Sequence, residues 1–458
     1  MLMRRAAVLA LVLGACTQPP TGPSFTLGTV YRAPSASTRG LLDRRGLIHS
    51  HSVYSHDACD SMPLVNGVRD ALCFDDFRRG LCQTAHDFAM LTDHRDAFTG
   101  TPYPEALLYR PDRGDRLVER DGQASASWAA CPDGSSALIL AGLEAGTMPV
   151  GLERHVEPES IRSGIYGDTS STAIEMLKAA GAVALAQHTE NWTPEELINK
   201  PFDGFEMFNL HANSFLHLGD ILEIVLNIQA GIVDEGLPSP DLTVVNFISE
   251  DPRYLDTWGT VLSRGAKRVT TMGTDCHRNS FPAKLADGER IDSYRRMMSW
   301  FSNHLLVRPK PDGTWDDRDL KEALRSGRLY GSFEVYGYPV GFDYHAKVGA
   351  EIEEMGSELA LSAAPKLFVA RPTMEGLATY GAQPEITLRI LRALDVGWEE
   401  VARATTGDLE LTVTSTGAYR AEVRIRPRHL QPYLGKNAME IAESDRIWIY
   451  SNAIYVRL

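Results

Sequence analysis

The chain has 458 residues, 43% hydrophobic and 23% charged, with a net charge of −14. That composition is ordinary for a soluble globular protein, and the length is enough for a large core and more than one domain. The negative balance argues against nucleic acid as a partner, because phosphate backbones need clustered Lys and Arg.

The N-terminus reads as an export signal. Arg4-Arg5 form a basic start, Ala6 to Leu13 a short apolar run, and Leu13-Gly14-Ala15-Cys16 a lipoprotein cleavage box. The run is too short to span a bilayer. Residues 1–16 are therefore expected to be a signal peptide, with Cys16 lipidated and the protein anchored to the cell envelope. Residue 17 is Thr rather than Asp, which favours the outer membrane. Residues 17–40, rich in Pro at 19, 20 and 23, read as an extended tether. In an exported chain, Cys59, Cys73, Cys82 and Cys131 are expected to form two disulfides, with three connectivities open. Cys276 is expected to be a buried free thiol.

From 41 to 345 short apolar runs alternate with helical patterns, as in an α/β fold. Residues 87–92, 136–141, 181–186, 202–208 and 268–273 read as strands. Residues 172–180 and 317–326 read as helices, the second stopped by Gly327. After residue 345 the pattern turns to β alternation at 409–414, 419–425, 446–450 and 454–457. Residues 346–458 therefore read as a small antiparallel, sandwich-like domain.

Polar residues fall repeatedly at the carboxyl ends of the apolar runs, which is where (β/α) barrels build active sites. The stretches are His49-Ser50-His51, His56-Asp57, Thr92-Asp93-His94, Gly142-Leu143-Glu144 and Asp275-Cys276-His277, with His155 and His188 isolated between the last two. A strand directs residues i and i+2 to one face, so His49 with His51, and Asp275 with His277, are expected to point inward together. Imidazole and carboxylate ligands suit Zn, Mn or Fe. A second Gly-Leu-Glu ends in Glu153, but an apolar strand leads into Glu144, which is preferred. Asp93 reads as an orienting or capping residue, and His211 and His217 as surface or helix residues. Arg95, Asn209 and Arg278 adjoin the motifs as candidate holders of an anionic substrate group.

The run His49 to Asp57, then Leu91-Thr92-Asp93-His94, Gly142-Leu143-Glu144 and Asp275-Cys276-His277, resembles the polymerase and histidinol phosphatase (PHP) superfamily over roughly residues 45–340. The ending Ser451-Asn452-Ala453-Ile454-Tyr455-Val456 is similar, more weakly, to the close of the trailing domain in extracytoplasmic members. The resemblance implies a distorted (β/α)7 barrel with two or three divalent metals. It implies that His49, His51, Glu144 and Asp275 share one metal, and that His94 and His277 serve a second with either His56 or Asp57, Asp57 being preferred. A third metal would use Glu144 with His188 and His155. Two metals sharing a carboxylate can hold a bridging water and lower its pKa, which makes Glu144, Asp275 and His277 the catalytic candidates. A metal-dependent phosphoesterase acting on a small molecule is therefore expected. An amide, carbamate or carboxylic-ester hydrolase on the same barrel and a non-catalytic metal-containing binding protein are the alternatives. Specificity is expected in loops such as 98–135 and 212–260.

Overall fold

A computed structural model describes residues 39–217, 219 and 237–458. Seven apolar segments form its central strands: Leu42–Ser50 (β1), Phe88–Met90 (β2), Ser136–Gly142 (β3), Met148–Leu152 (β4), Val183–Ala186 (β5), Gly204–Asn209 (β6) and Val269–Cys276 (β7). Every residue of β2, β4, β5, β6 and β7 is buried, so both faces of these strands are covered; β4 is not among the strands expected from the sequence. The strands pair in chain order, and β7 returns to β1, so the sheet closes into a seven-stranded barrel.

The expected (β/α)7 alternation is kept only in part. β4 runs antiparallel to both β3 and β5. Residues 143–147 join β3 to β4 as a tight turn with no helix. Parallel neighbours need a long crossover, whereas an antiparallel pair needs only a turn. Helices lie in four of the remaining connections, Ala71–Gln83, Ser171–Ala179, Pro194–Asn199 and Pro252–Ser263, while the β2–β3 connection carries an antiparallel hairpin, Arg116–Arg120 and Gln123–Ala130, that pairs with β3. The helix expected at 317–326 forms over Asp317–Ser326, started by a capping box of Asp316 and Asp319 and stopped by Gly327 at φ 81°. Its Leu320, Ala323 and Leu324 share a core with Ile48, Met90, Leu140, Val150, Leu185 and Val269 from six barrel strands.

The β-rich segment continues the barrel's own sheet. β1 also pairs with Ser302–Val307, and the sheet runs on through Leu329–Ser332, Arg446–Arg457, Gly417–Arg426, Glu385–Ala393 and Trp398–Ala404. A second antiparallel sheet of four strands, built from Asp343–Val348, Glu351–Glu354, Lys366–Ala370 and Leu409–Thr412, shares its core. The boundary expected between 345 and 346 thus falls inside a strand. The two strands expected at 446–450 and 454–457 are one, Arg446–Arg457. The polar residues that interrupt its apolar pattern are spent on backbone. Asn452 accepts from Thr270 N and donates to Thr270 O, bracing β7, while Ser451 Oγ accepts from Ala421 N.

Two disulfides form, Cys59–Cys73 and Cys82–Cys131, and Cys276 is a buried free thiol. Among the described residues no helix is long and apolar enough to cross a membrane. The signal segment, Cys16 and nearly all of the expected tether lie outside the described residues.

Candidate metal centre

His49, His51, Glu144 and Asp275 meet at one mouth of the barrel. His49 Nε2 lies 3.2 Å from Asp275 Oδ1 and 3.4 Å from Glu144 Oε2. His51 Nε2 lies 3.2 and 3.3 Å from the same two oxygens. A second group shares His51 and adds Asp57, His94 and His277; Asp57 Oδ2 is 2.9 Å from Nε2 of both His94 and His277. Within each group the ligand atoms all lie within 4.8 Å of one another.

Simple strand alternation does not aim these side chains. His51 lies past the end of β1. His49 and Asp275 take left-handed backbone at φ 69° and 51°, and the β1–β7 register shifts between Ile48↔Gly273 and Ser50↔Cys276. Such conformations cost about 1–3 kcal/mol each and persist only where surrounding bonds hold them. Here Thr274 Oγ1 donates to His49 O, and His51 N donates to Cys276 O. Glu144 sits in the β3–β4 turn, its N donating to Thr92 O. A Cβ on Gly142 would lie 2.5 Å from Leu91 O and 2.6 Å from Pro149 O, so only glycine lets the chain pass there.

The outer nitrogens and oxygens are held in place. His49 Nδ1 is 2.6 Å from Glu206 Oε1, His51 Nδ1 is 3.0 Å from Ser55 Oγ, and His277 Nδ1 is 2.7 Å from Asp275 O. Ser55 Oγ also donates to Asp57 Oδ1. Asp93 accepts from Ser52 N and Ser52 Oγ and so holds the turn that follows His51. Such partners fix which ring nitrogen faces a metal. The atoms turned to the centre are left bare: among the described residues, His49 Nε2, His51 Nε2 and Asp275 Oδ1 are buried without a hydrogen-bond partner. A buried polar atom without a partner is costly, and a group of two imidazoles and two carboxylates is one that can hold a metal ion.

The electrostatics agree. Burial opposes protonation of His49 and His51, yet Asp275, Glu206 and Glu144 lift His49 well above the imidazole range, and Asp275 with Glu144 lifts His51 to about 9. Burial raises Asp275 and Glu144, but His49 and its neighbouring imidazoles outweigh it and hold both carboxylates ionised. With both carboxylates ionised, the group is negative whenever its imidazoles are neutral, and protons or a bound cation answer that charge.

The remaining candidates divide. His188 Nε2 lies 3.0 Å from Glu144 Oε1, so that carboxylate engages histidines through both oxygens. His155 is not brought to the cluster. It bonds Tyr166 OH at 2.8 Å and Thr101 O at 2.9 Å. It follows β4, whose reversed direction carries it to the opposite end of the barrel. Glu153 is carried there too and pairs with Arg318 and Lys321. Of His56 and Asp57, Asp57 joins the group, while His56 is exposed and pairs with Asp96. Arg95 lines a polar cleft with His56, His94 and Glu144, and among the described residues it has no carboxylate partner. Arg278 lies 3.2 Å from Asp76. Asn209 is buried, donating to Glu206 and capping Ala212 N, and so is not presented to a substrate. His211, read as a surface or helix residue, is on the helix Leu210–Ser214 but stands 3.3 Å from Asp275 Oδ2. It follows the end of β6 by two residues, the same strand-end position that marked the other ligands. Glu206 also carries a function that the sequence left unassigned.

No family model, curated protein or solved structure matches the chain.

Proposed function

We propose that the chain is a metal-dependent hydrolase of the PHP type, acting on phosphoesters and exported as a lipoprotein. The observation that carries the hydrolase reading is the pair of ligand groups joined through His51, with three buried ligand atoms left bare toward one point. His49, His51, Glu144 and Asp275 would hold one ion, and His51 or its neighbours Asp57, His94 and His277 the other. The ion class is Zn, Mn or Fe. Bound divalent ions supply Lewis acidity and an acidified water. The chain's own contribution is to fix that site. Glu206 and Ser55 orient imidazoles, and Asp57 and Glu144 stay ionised. Arg95, without a carboxylate partner among the described residues, lines the cleft beside Glu144, an arrangement suited to an anionic phosphoryl group. The two disulfides support an oxidising compartment.

The test has two stages. Protein purified without chelator should carry two or three first-row transition ions per chain. It should then hydrolyse members of a phosphoester panel in preference to carboxylic esters and carbamates. Metal content near zero under metal-replete conditions would refute the reading; turnover confined to carboxylic esters or carbamates would move it to that class.

A further inference from the structure

The run His188-Thr189-Glu190 places a carboxylate two residues beyond a histidine of the centre. His188 follows β5 and takes left-handed backbone at φ 47°. Two different carboxylates hold it there. Its N donates to Glu206 Oε2 at 2.9 Å, which fixes the main chain. Its ring Nδ1 lies 3.2 Å from Glu190 Oε1, which leaves Nε2 toward Glu144 Oε1 at 3.0 Å and Asp275 Oδ2 at 3.4 Å. Glu190 is in turn held from the other side, where Tyr254 OH donates to its Oε2. Tyr254 is buried, in the first turn of the helix Pro252–Ser263. That helix has little room to shift. Trp398 Nε1 donates to Leu255 O at 2.9 Å, and a Cβ on Gly259 would lie 2.2 Å from Gly397 O. Glu206 already holds the backbone of His188, so the pair of Glu190 and Tyr254 serves the ring rather than the chain.

We propose that Glu190, braced by Tyr254, is a positioning residue for His188: it accepts from Nδ1 and presents Nε2 as a ligand to a divalent ion shared with Glu144. An imidazole that donates through one nitrogen to a carboxylate offers the other as an oriented and more basic ligand. Without Glu190 the ring, which is 24% exposed, has nothing on its Nδ1 side to stop it turning away. The proposal rests on the metal reading of the centre but not on the hydrolysis of any substrate.

The test is zinc binding to the metal-free full chain, titrated against a competing chelator. Glu190→Ala should weaken one ion per chain by about tenfold or more and leave the others within about twofold. Tyr254→Phe should weaken the same ion by about threefold, since it removes the brace and leaves the acceptor. Because the hydroxyl acts through Glu190, adding Tyr254→Phe to Glu190→Ala should weaken that ion no further. Glu190→Gln, which keeps an acceptor oxygen, should recover part of the loss. Unchanged affinity in Glu190→Ala, equal weakening of every ion, or a fully additive double variant overturns the positioning role. Activity on the phosphoester panel separates the two readings. Turnover, with zinc affinities untouched by Glu190→Ala, leaves the hydrolase standing and removes the positioning role. Ion-selective loss in a protein that turns over no ester or carbamate does the reverse. A wild type that takes up no zinc removes both.

Discussion

Glu206 Oε1 stands 2.6 Å from Nδ1 of His49, and both side chains are fully buried. The other carboxylate oxygen accepts from His188 N and Asn209 Nδ2, so Glu206 ties β6 to two histidines of the centre. The contact exists because β7 has no side chain at Gly273. A Cβ there would fall 2.0 Å from Glu206 Oε1 and 3.2 Å from His49 Nδ1. Both Glu206→Gln and Gly273→Ala should therefore weaken metal binding by about 10–100-fold, the usual cost of losing an outer partner. Titration against a competing chelator measures it. Unchanged affinity in both variants would mean that His49 needs no orienting carboxylate.

Most of the centre was legible because a polar residue that closes an apolar run is conspicuous, and His49, His94, Glu144, His188 and Asp275 all sit at or just beyond strand ends. Direction was not legible. An apolar run has the same pattern whichever way its strand points, so nothing in 148–152 reveals a reversed β4, and nothing in the sequence separates His155 from the set that includes His188. Likewise, the β alternation after 345 signals antiparallel strands but not that Arg446–Arg457 pairs with Leu329–Ser332, which merges that segment with the barrel's sheet. Glu206 was visible as a carboxylate in an apolar strand, but its partner is 157 residues away. The left-handed backbone of His49 and Asp275 leaves no trace in residue type.

The reversal of β4 also separates the two Gly-Leu-Glu motifs. Glu144→Ala should abolish hydrolysis, because both of its oxygens face histidines of the centre. Glu153→Ala should leave kcat/KM nearly unchanged and instead lower stability, because it breaks the ion pair with the buried Lys321. Steady-state kinetics beside thermal melts separate the two outcomes. Loss of activity in Glu153→Ala with an unchanged melt would contradict the placement.

His211→Ala was expected to be nearly silent on sequence grounds. Its position 3.3 Å from Asp275 Oδ2 reverses that expectation. The variant should lose about tenfold or more in kcat/KM with little change in melting temperature, since the side chain is 47% exposed and bears on the site rather than the core. Wild-type kinetics in His211→Ala would return it to the surface class.

His304 sets a pH dependence away from the centre. It is buried between Asp43 at 2.9 Å and Glu334 at 3.4 Å, and stacks on Tyr330. Burial pulls its pKa down, but the two carboxylates outweigh this and raise it to about 9. A raised folded-state pKa means stability that is fully present below the unfolded value near 6.5 and is lost as pH climbs through about 9. The integrated contribution is roughly 3 kcal/mol. Denaturant melts at pH 6, 7.5 and 9 should show the wild type weakening across that window and His304→Gln weakening much less. Parallel curves for the two proteins would rule His304 out as the source.

The two disulfides should fail in different ways. Cys82–Cys131 spans 49 residues and Cys59–Cys73 spans 14, so loop entropy alone assigns them about 4 and about 3 kcal/mol. The shorter bridge does more than its loop length implies. It closes the segment that follows Asp57, and Cys59 N donates to His277 O, between two ligands of the second group. Replacing Cys82 and Cys131 by Ser should lower the melting temperature and leave metal stoichiometry intact. Replacing Cys59 and Cys73 by Ser should cost less stability yet weaken the site formed by Asp57, His94 and His277, leaving the His49, Glu144 and Asp275 site occupied. Metal content measured after dialysis, set beside melting curves of the two double variants, checks both halves of the prediction. Equal metal loss in both, or none in either, would detach the shorter bridge from the centre.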